Sequence, residues 1–206
     1  MLRRFAIAVM LMATLIAITA PVGASSIDLR EAALEQADDG YAVNAGFNVE
    51  LTGRLEEALQ NGVALYFLVE FELVRPRWYW FDERTVASRL QYRLTYHALS
   101  RQYRLWTGNL HQPFGTLAEA LRVLGRVRNW IVLEREQVAA DRNYQAALRM
   151  RLDTALLPKP FQVSAITNRD WTLSSDWIRF NFTPGALPAP PANPPVRGRA
   201  EEAQPR

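Results

Sequence analysis

The side chains that could do chemistry are few, and their spacing does not assemble a catalyst. His97 and His111 stand alone, outside any H-x-x-x-H or H-E-x-x-H arrangement that would bring two imidazoles to one metal. The chain has no cysteine, which excludes disulfides, thiolate nucleophiles, Cys-ligated zinc and iron–sulfur clusters. No G-x-S-x-G elbow, P-loop or G-x-G-x-x-G run is present. Asp82-Glu83 is the best carboxylate pair for acid–base work, but adjacent residues on a strand point to opposite faces and so do not share a substrate. Asp38-Asp39-Gly40 reads as a hairpin turn rather than a calcium loop, because Gly40-Tyr41 opens a strand. The expectation is a non-catalytic protein with no metal and no cofactor.

The most unusual run is Arg75-Pro76-Arg77-Trp78-Tyr79-Trp80-Phe81-Asp82. Four consecutive aromatics make both faces of any strand aromatic, so simple alternation fails there. Arg75, Arg77, Trp78, Tyr79 and Trp80 form the candidate binding surface, since Trp, Tyr and Arg are the usual anchors of interfaces. Ring faces of this kind also stack on sugars. The weightier account is that the rings cap an open end of the core, each burying on the order of 150–250 Å².

The remaining charges read as a ladder. Glu70 and Glu72 alternate on one strand and Arg89 and Arg93 on a later one, and Glu134, Arg149 and Arg151 recur further along. Cross-strand pairs of opposite charge stabilise a sheet by roughly 0.2–1 kcal/mol each. A groove for an anionic ligand is the sharper alternative. Nucleic acid is excluded by arithmetic. Of 24 basic residues, Arg3, Arg4, Arg197, Arg199 and Arg206 lie outside residues 25–183; of 21 acidic ones, Glu201 and Glu202 do, leaving 19 of each. A formally neutral body lacks the footprint that phosphate backbones require.

The elements that must position these residues are mostly strands. Period-two alternation runs through Tyr41–Leu51, Val63–Arg75, Leu90–Ala98 and Tyr144–Leu152, each with one apolar and one polar face. Weaker strands are expected at 27–36, 101–108, 129–137, 161–167 and 177–183. Two short helices interrupt them. Leu55, Ala58 and Leu59 precede a capping Gly62, and Leu117, Ala120, Leu121 and Leu124 precede Gly125, with Thr116 and Glu119 as a capping box. Trp171 and Trp177, framing Ser174-Ser175-Asp176, are expected in the core. The pattern predicts an α+β fold, predominantly antiparallel, as a sandwich or one strongly curved sheet of nine or ten strands. A gapless shift of 62 residues aligns Tyr41 with Tyr103, Gly53 with Gly115 and Leu55 with Leu117 among others. It gives eight identities over 41–74 against about two by chance, either a duplicated β-β-α-β unit or shared helix composition.

Both ends read as appendages. Arg3-Arg4, the uncharged run Phe5–Ala20 and Val22-Gly23-Ala24 form a signal peptide over 1–24; the sixteen apolar residues are short for a roughly 20-residue span. From Pro184 the composition turns to proline and alanine, predicting a disordered tail over 184–206 behind a single β-rich domain at 25–183. The stretches LEEALQNGVALYF, RPRWYWFDE, LQYRLTYHALSRQYRL, LAEAL, RMRLDTALLPKPFQV and DWTLSSDWIRFNF resemble an exported bacterial family, the domain of unknown function numbered 4390. Its members are also labelled proline-rich signal peptide proteins, and the resemblance covers about 26–183. That family has no assigned activity, cofactor or catalytic residue, so the resemblance carries none over. The family's genes are described as lying near a sensor kinase, which implies an envelope partner. The expected function is an exported periplasmic or envelope module that binds a protein, with a glycan- or lipid-binding protein as the alternative.

Two outcomes follow. N-terminal sequencing of the protein from an envelope fraction should begin at Ser25; material beginning at Met1 would refute cleavage. Trp78→Ala and Trp80→Ala should each cost about 3–5 kcal/mol in thermal melts if the rings cap the core, against less than about 0.5 kcal/mol for an exposed binding surface.

Overall fold

The computed structural model describes residues 26–76, 83–140 and 142–185. The expected alternation becomes two antiparallel sheets rather than one curved sheet. Strands β1 (Ile27–Ala37), β2 (Gly40–Val49) and β7 (Arg126–Leu133) form a three-stranded sheet in the order β1-β2-β7. The other six are β3 (Leu65–Arg75), β4 (Glu83–His97), β5 (Gln102–Thr107), β6 (Leu110–Phe114), β8 (Tyr144–Leu152) and β9 (Ile178–Phe182). They pair in the order β6-β5-β4-β3-β8-β9. Every pairing is antiparallel.

One core joins the sheets. On β3 the odd set Leu65, Phe67, Val69, Phe71 and Leu73 is wholly buried, and on β8 Tyr144, Ala146, Leu148, Met150 and Leu152 are buried with it. Full burial of each such side chain contributes about 1.5–3 kcal/mol. The opposing sheet supplies Val43, Ala45, Phe47, Val127 and Leu133. Tyr41 of β2 meets Phe182 of β9 edge-on at 5.0 Å, and the Ser88 hydroxyl on β4 donates to the Val132 carbonyl on β7 at 3.1 Å. Burial pushes the Tyr92 phenol, also in this core, up to about 12.

Two helices close the core as the sequence patterning requires. Helix α1 (Gly53–Gln60) starts where the Thr52 hydroxyl accepts from the Leu55 amide, and it buries Leu55, Ala58 and Leu59. Helix α2 (Leu117–Leu124) starts at Thr116, whose hydroxyl accepts from the Glu119 amide at 3.3 Å, and it ends on Gly125. The segments β1–β2–α1–β3 and β5–β6–α2–β7 share the order hairpin, helix, strand, although the 62-residue shift lays β2 on β5 rather than on β6, and their last strands trade places. The β1–β2 hairpin lies in the three-stranded sheet while β3, which follows α1, enters the six-stranded one. The β5–β6 hairpin lies in the six-stranded sheet while β7, which follows α2, enters the three-stranded one.

Three expectations need correction. Residues 161–167 form no strand; they belong to a third helix, α3 (Lys159–Thr167), behind Pro158 and with Pro160 in its first turn, where a missing amide costs nothing. Phe161 and Ala165, one helical turn apart, pack on the core, and Phe161 lies 4.8 Å from Trp171. The strand expected at 129–137 starts earlier and ends at Leu133, with a 3-10 turn over Arg135–Gln137. Strand β6 was not expected, because Pro113 and exposed side chains mask it; it is an edge strand, where proline is tolerated.

Two glycines are fixed by close approach. Asp38-Asp39 makes the β1–β2 turn, and Gly40 after it has φ +151°, with the Leu133 carbonyl oxygen 1.9 Å from where a Cβ would stand. At Gly125 a Cβ would stand 2.2 Å from the Phe47 oxygen, and the Phe47 amide donates to the Gly125 carbonyl at 2.7 Å. Gly40→Ala and Gly125→Ala should each lower stability by about 1–3 kcal/mol in urea titrations. Gly53→Ala, in open space at the start of α1, should leave the midpoint unchanged or raise it.

Candidate functional site

With the odd side chains of β3 in the core, the even ones face outward, and Glu70 sits at the middle of that outer row. Its register partners are Arg89 on β4 and Arg149 on β8. Glu70 is only 6% exposed because guanidinium groups cover it. Arg149 Nε donates to Oε2 at 2.6 Å, Arg151 donates through Nε (3.1 Å) and Nη2 (3.3 Å), and Arg89 Nε lies 3.5 Å from Oε1. Arg151 also stands 3.8 Å from Asp153. The ladder expected from sequence is therefore concentrated into a cluster of three arginines on one carboxylate. Burial raises the Glu70 pKa, but hydrogen bonds and charge from Arg151 and Arg149 outweigh it and hold the carboxyl below its ordinary value.

Aromatic rings brace the same face. The Arg149 guanidinium stacks over Trp177 and that of Arg93 over Trp106, each 4.4 Å from the ring centroid. Trp106 is stacked on its neighbour His111 at 4.3 Å. Register makes this a continuous row, Tyr66 opposite Arg93, Arg93 opposite Trp106 and Trp106 opposite His111. A cation over an indole contributes roughly 0.5–1 kcal/mol at an exposed site, and here it also fixes the guanidinium plane.

The sequence expectations fare unevenly here. Trp171 is in the core, 7% exposed. Trp177 is not; it is half-buried under Arg149. Between them Ser175 is buried and completes the sheet, its amide donating to the Met150 carbonyl (2.8 Å) and its hydroxyl accepting from the Met150 amide (3.0 Å). Glu134 does not join the ladder; it opens the 3-10 turn, its amide donating to the Gln137 side chain. His97 caps the β4–β5 turn through Ser100. Of the candidate surface, Arg75 is half-buried at the end of β3 with Glu83 as its register partner. Arg77, Trp78, Tyr79 and Trp80 lie outside the described residues, as does Asp82. The role of Trp106 and Trp177 escaped the sequence reading, although Arg93 and Trp106 both fall on the polar phase of adjacent strands.

Among the described residues no helix is long and apolar enough to cross a membrane, and no three His, Asp or Glu side chains form a metal-binding group. A family model described as domain of unknown function (DUF4390) matches residues 24–181. No curated protein and no solved structure matches the chain.

The Glu70 cluster sets a pH dependence. Its folded pKa lies below the unfolded value of about 4.3, so the contribution is complete above that value and is lost as pH falls through the lower folded pKa. Glu70→Gln should reduce stability at pH 7 by about 1.5–3 kcal/mol, the range for hydrogen bonds to charged groups. Denaturant titrations should show the gap to the wild type narrowing at pH 3; an unchanged gap would contradict the cluster's role.

Proposed function

The chain belongs to the DUF4390 family, and we propose that it is a non-catalytic exported envelope module that binds a protein partner through the outer face of the six-stranded sheet. One observation carries this reading: three guanidiniums gather on the single carboxylate of Glu70. A ladder of matched pairs would neutralise itself. This cluster leaves excess positive charge on a solvent-facing surface, held in place by Trp177. Arg149 hydrogen-bonds Glu70 through Nε only, and Arg89, with 73% of its side chain exposed, stands 3.5 Å from Glu70 at Nε and forms no hydrogen bond to it. The outer nitrogens of both are positioned to meet acidic groups of a partner.

Rigid Arg and Trp side chains lose little rotamer freedom on binding, which is why they dominate interface energetics. The glycan alternative asks for bare ring faces. Trp106 and Trp177 each already carry a guanidinium on one face, and Trp106 stacks with His111 as well. That arrangement favours a protein. A membrane sensor's ectodomain is a partner of the proposed kind, and the proline-rich tail suits a spacer in the envelope.

In-cell crosslinking followed by mass spectrometry tests the reading without presupposing chemistry. A partner should be captured through the outer sheet face. Arg89→Ala should weaken its binding about 30-fold, the scale of a hot-spot residue at roughly 2 kcal/mol, while thermal stability changes by less than about 0.5 kcal/mol. Capture unaffected by Arg89→Ala and Arg93→Ala together would sink this assignment of the surface.

A further inference from the structure

A concavity lies away from the Glu70 cluster, on the three-stranded sheet. It is a groove of about 1130 Å³ floored by Gly46–Val49 of β2 and the following Glu50 and Leu51, and lined by α2 and β1. Four arginines line it: Arg30 from β1, Arg122 from α2, and Arg126 and Arg128 from β7. Arg128 is held by Glu31 at 3.3 Å. Arg30, Arg122 and Arg126 are exposed and form no ion pair among the described residues.

Backbone irregularities aim these side chains. The β1–β2 register slips between Leu29 and Glu31, so Arg30 is the extra residue of a bulge. Bulges redirect a side chain and recur next to binding sites. On the other flank β2 and β7 slip between Val43 and Ala45, where Asn129 has φ +47° and donates its amide to the Asn44 side chain. Gly46 lies between the two bulges. A Cβ there would stand 3.2 Å from the Glu31 carboxylate oxygen, so the bare backbone lets Glu31 reach across toward Arg128.

We propose that this groove seats an acidic polypeptide segment of a partner protein. The inference rests on the reading of the domain as a protein-binding module and adds a second seat, distinct from the sheet face. The mixed lining selects the class of occupant. Unpaired arginines attract acidic side chains, and Leu51 and Leu121 offer apolar contact. Glu50 and Glu56 also line the groove, and their negative charge disfavours a uniformly anionic membrane surface or nucleic acid. A polypeptide can present carboxylates to the arginines and other groups to the glutamates.

The test is fluorescence polarisation of a labelled ten-residue peptide of alternating Glu and Leu against the full mature protein, in low salt and in 0.5 M NaCl (about a 4 Å screening length). Saturable binding is expected, at least tenfold weaker in high salt. Arg126→Glu should weaken it at least tenfold, Arg30→Glu from the opposite wall should do the same, and Arg101→Ala, in the exposed β4–β5 turn outside the groove, should leave it unchanged. Thermal melts of each variant confirm folding, and two variants from separate strands guard against one misfolding. Absence of saturable binding, indifference to both groove substitutions, or loss through Arg101→Ala would each overturn the proposal. So would tighter binding to 1:1 phosphatidylglycerol–phosphatidylcholine vesicles than to the peptide, lost with the same arginines. None of these results bears on partner capture by the sheet face.

Discussion

Strand β3 lies between β4 and β8 with every odd side chain from Leu65 to Leu73 shut off from solvent. That burial fixes the register on both sides, because a one-residue slip would expose the whole set and bury its polar counterpart. The even side chains of a central strand then have no edge to escape over. Glu70 stands among neighbours on both flanks, where water cannot fully solvate it. A lone carboxylate in that position would be driven to take up a proton. Arginines from β8 and β4 instead converge on it, so the placement of the polar face follows from the demands of the apolar one.

The same constraint shapes the exchange of strands between the sheets. A two-stranded hairpin cannot bury its apolar face alone. Each hairpin–helix–strand stretch sends its last strand to the sheet that holds the other's hairpin, so neither stretch completes a sheet without the other. Helices α1 and α2 make the crossings and cover the core as they go. Close packing at these crossings is where the structure demands glycine, at Gly125 against Phe47 and at Gly40 against Leu133. The bulges on β1 and β7 lie in the smaller sheet, where register is held by fewer neighbours, and there they turn arginines into the groove.

Much of this was legible in the residue order. Period-two alternation located four of the nine described strands and weaker patterning four more, and helical spacing followed by Gly located α1 and α2, because burial of one face is a local property of the chain. The misreading of 161–167 has a plain cause. In PFQVSAIT, Phe161, Val163 and Ala165 alternate with Gln162 and Ser164 and so mimic a strand, whereas the helix puts Phe161 and Ala165 on one face against the core, with Phe161 beside Trp171, and leaves Val163 exposed. Strand β6 was hidden for the opposite reason: an edge strand with exposed side chains carries no apolar alternation.

Of the candidate surface, the sequence marked the arginines and glutamates by type and phase but could not pair them. It set Glu134 beside Arg149 and Arg151 because they are close in the chain. In the fold those arginines lie against Glu70, some 80 positions earlier, since β8 joins the sheet beside β3. The neutral body, absence of thiol chemistry and strand phase were set by composition and local order, which need no partner in space. Which cation meets which carboxylate, which tryptophan lies in the core and which beneath an arginine, and where a groove opens were decided by tertiary structure. Those depend on strand order in the sheets, which alternation along a single strand does not encode.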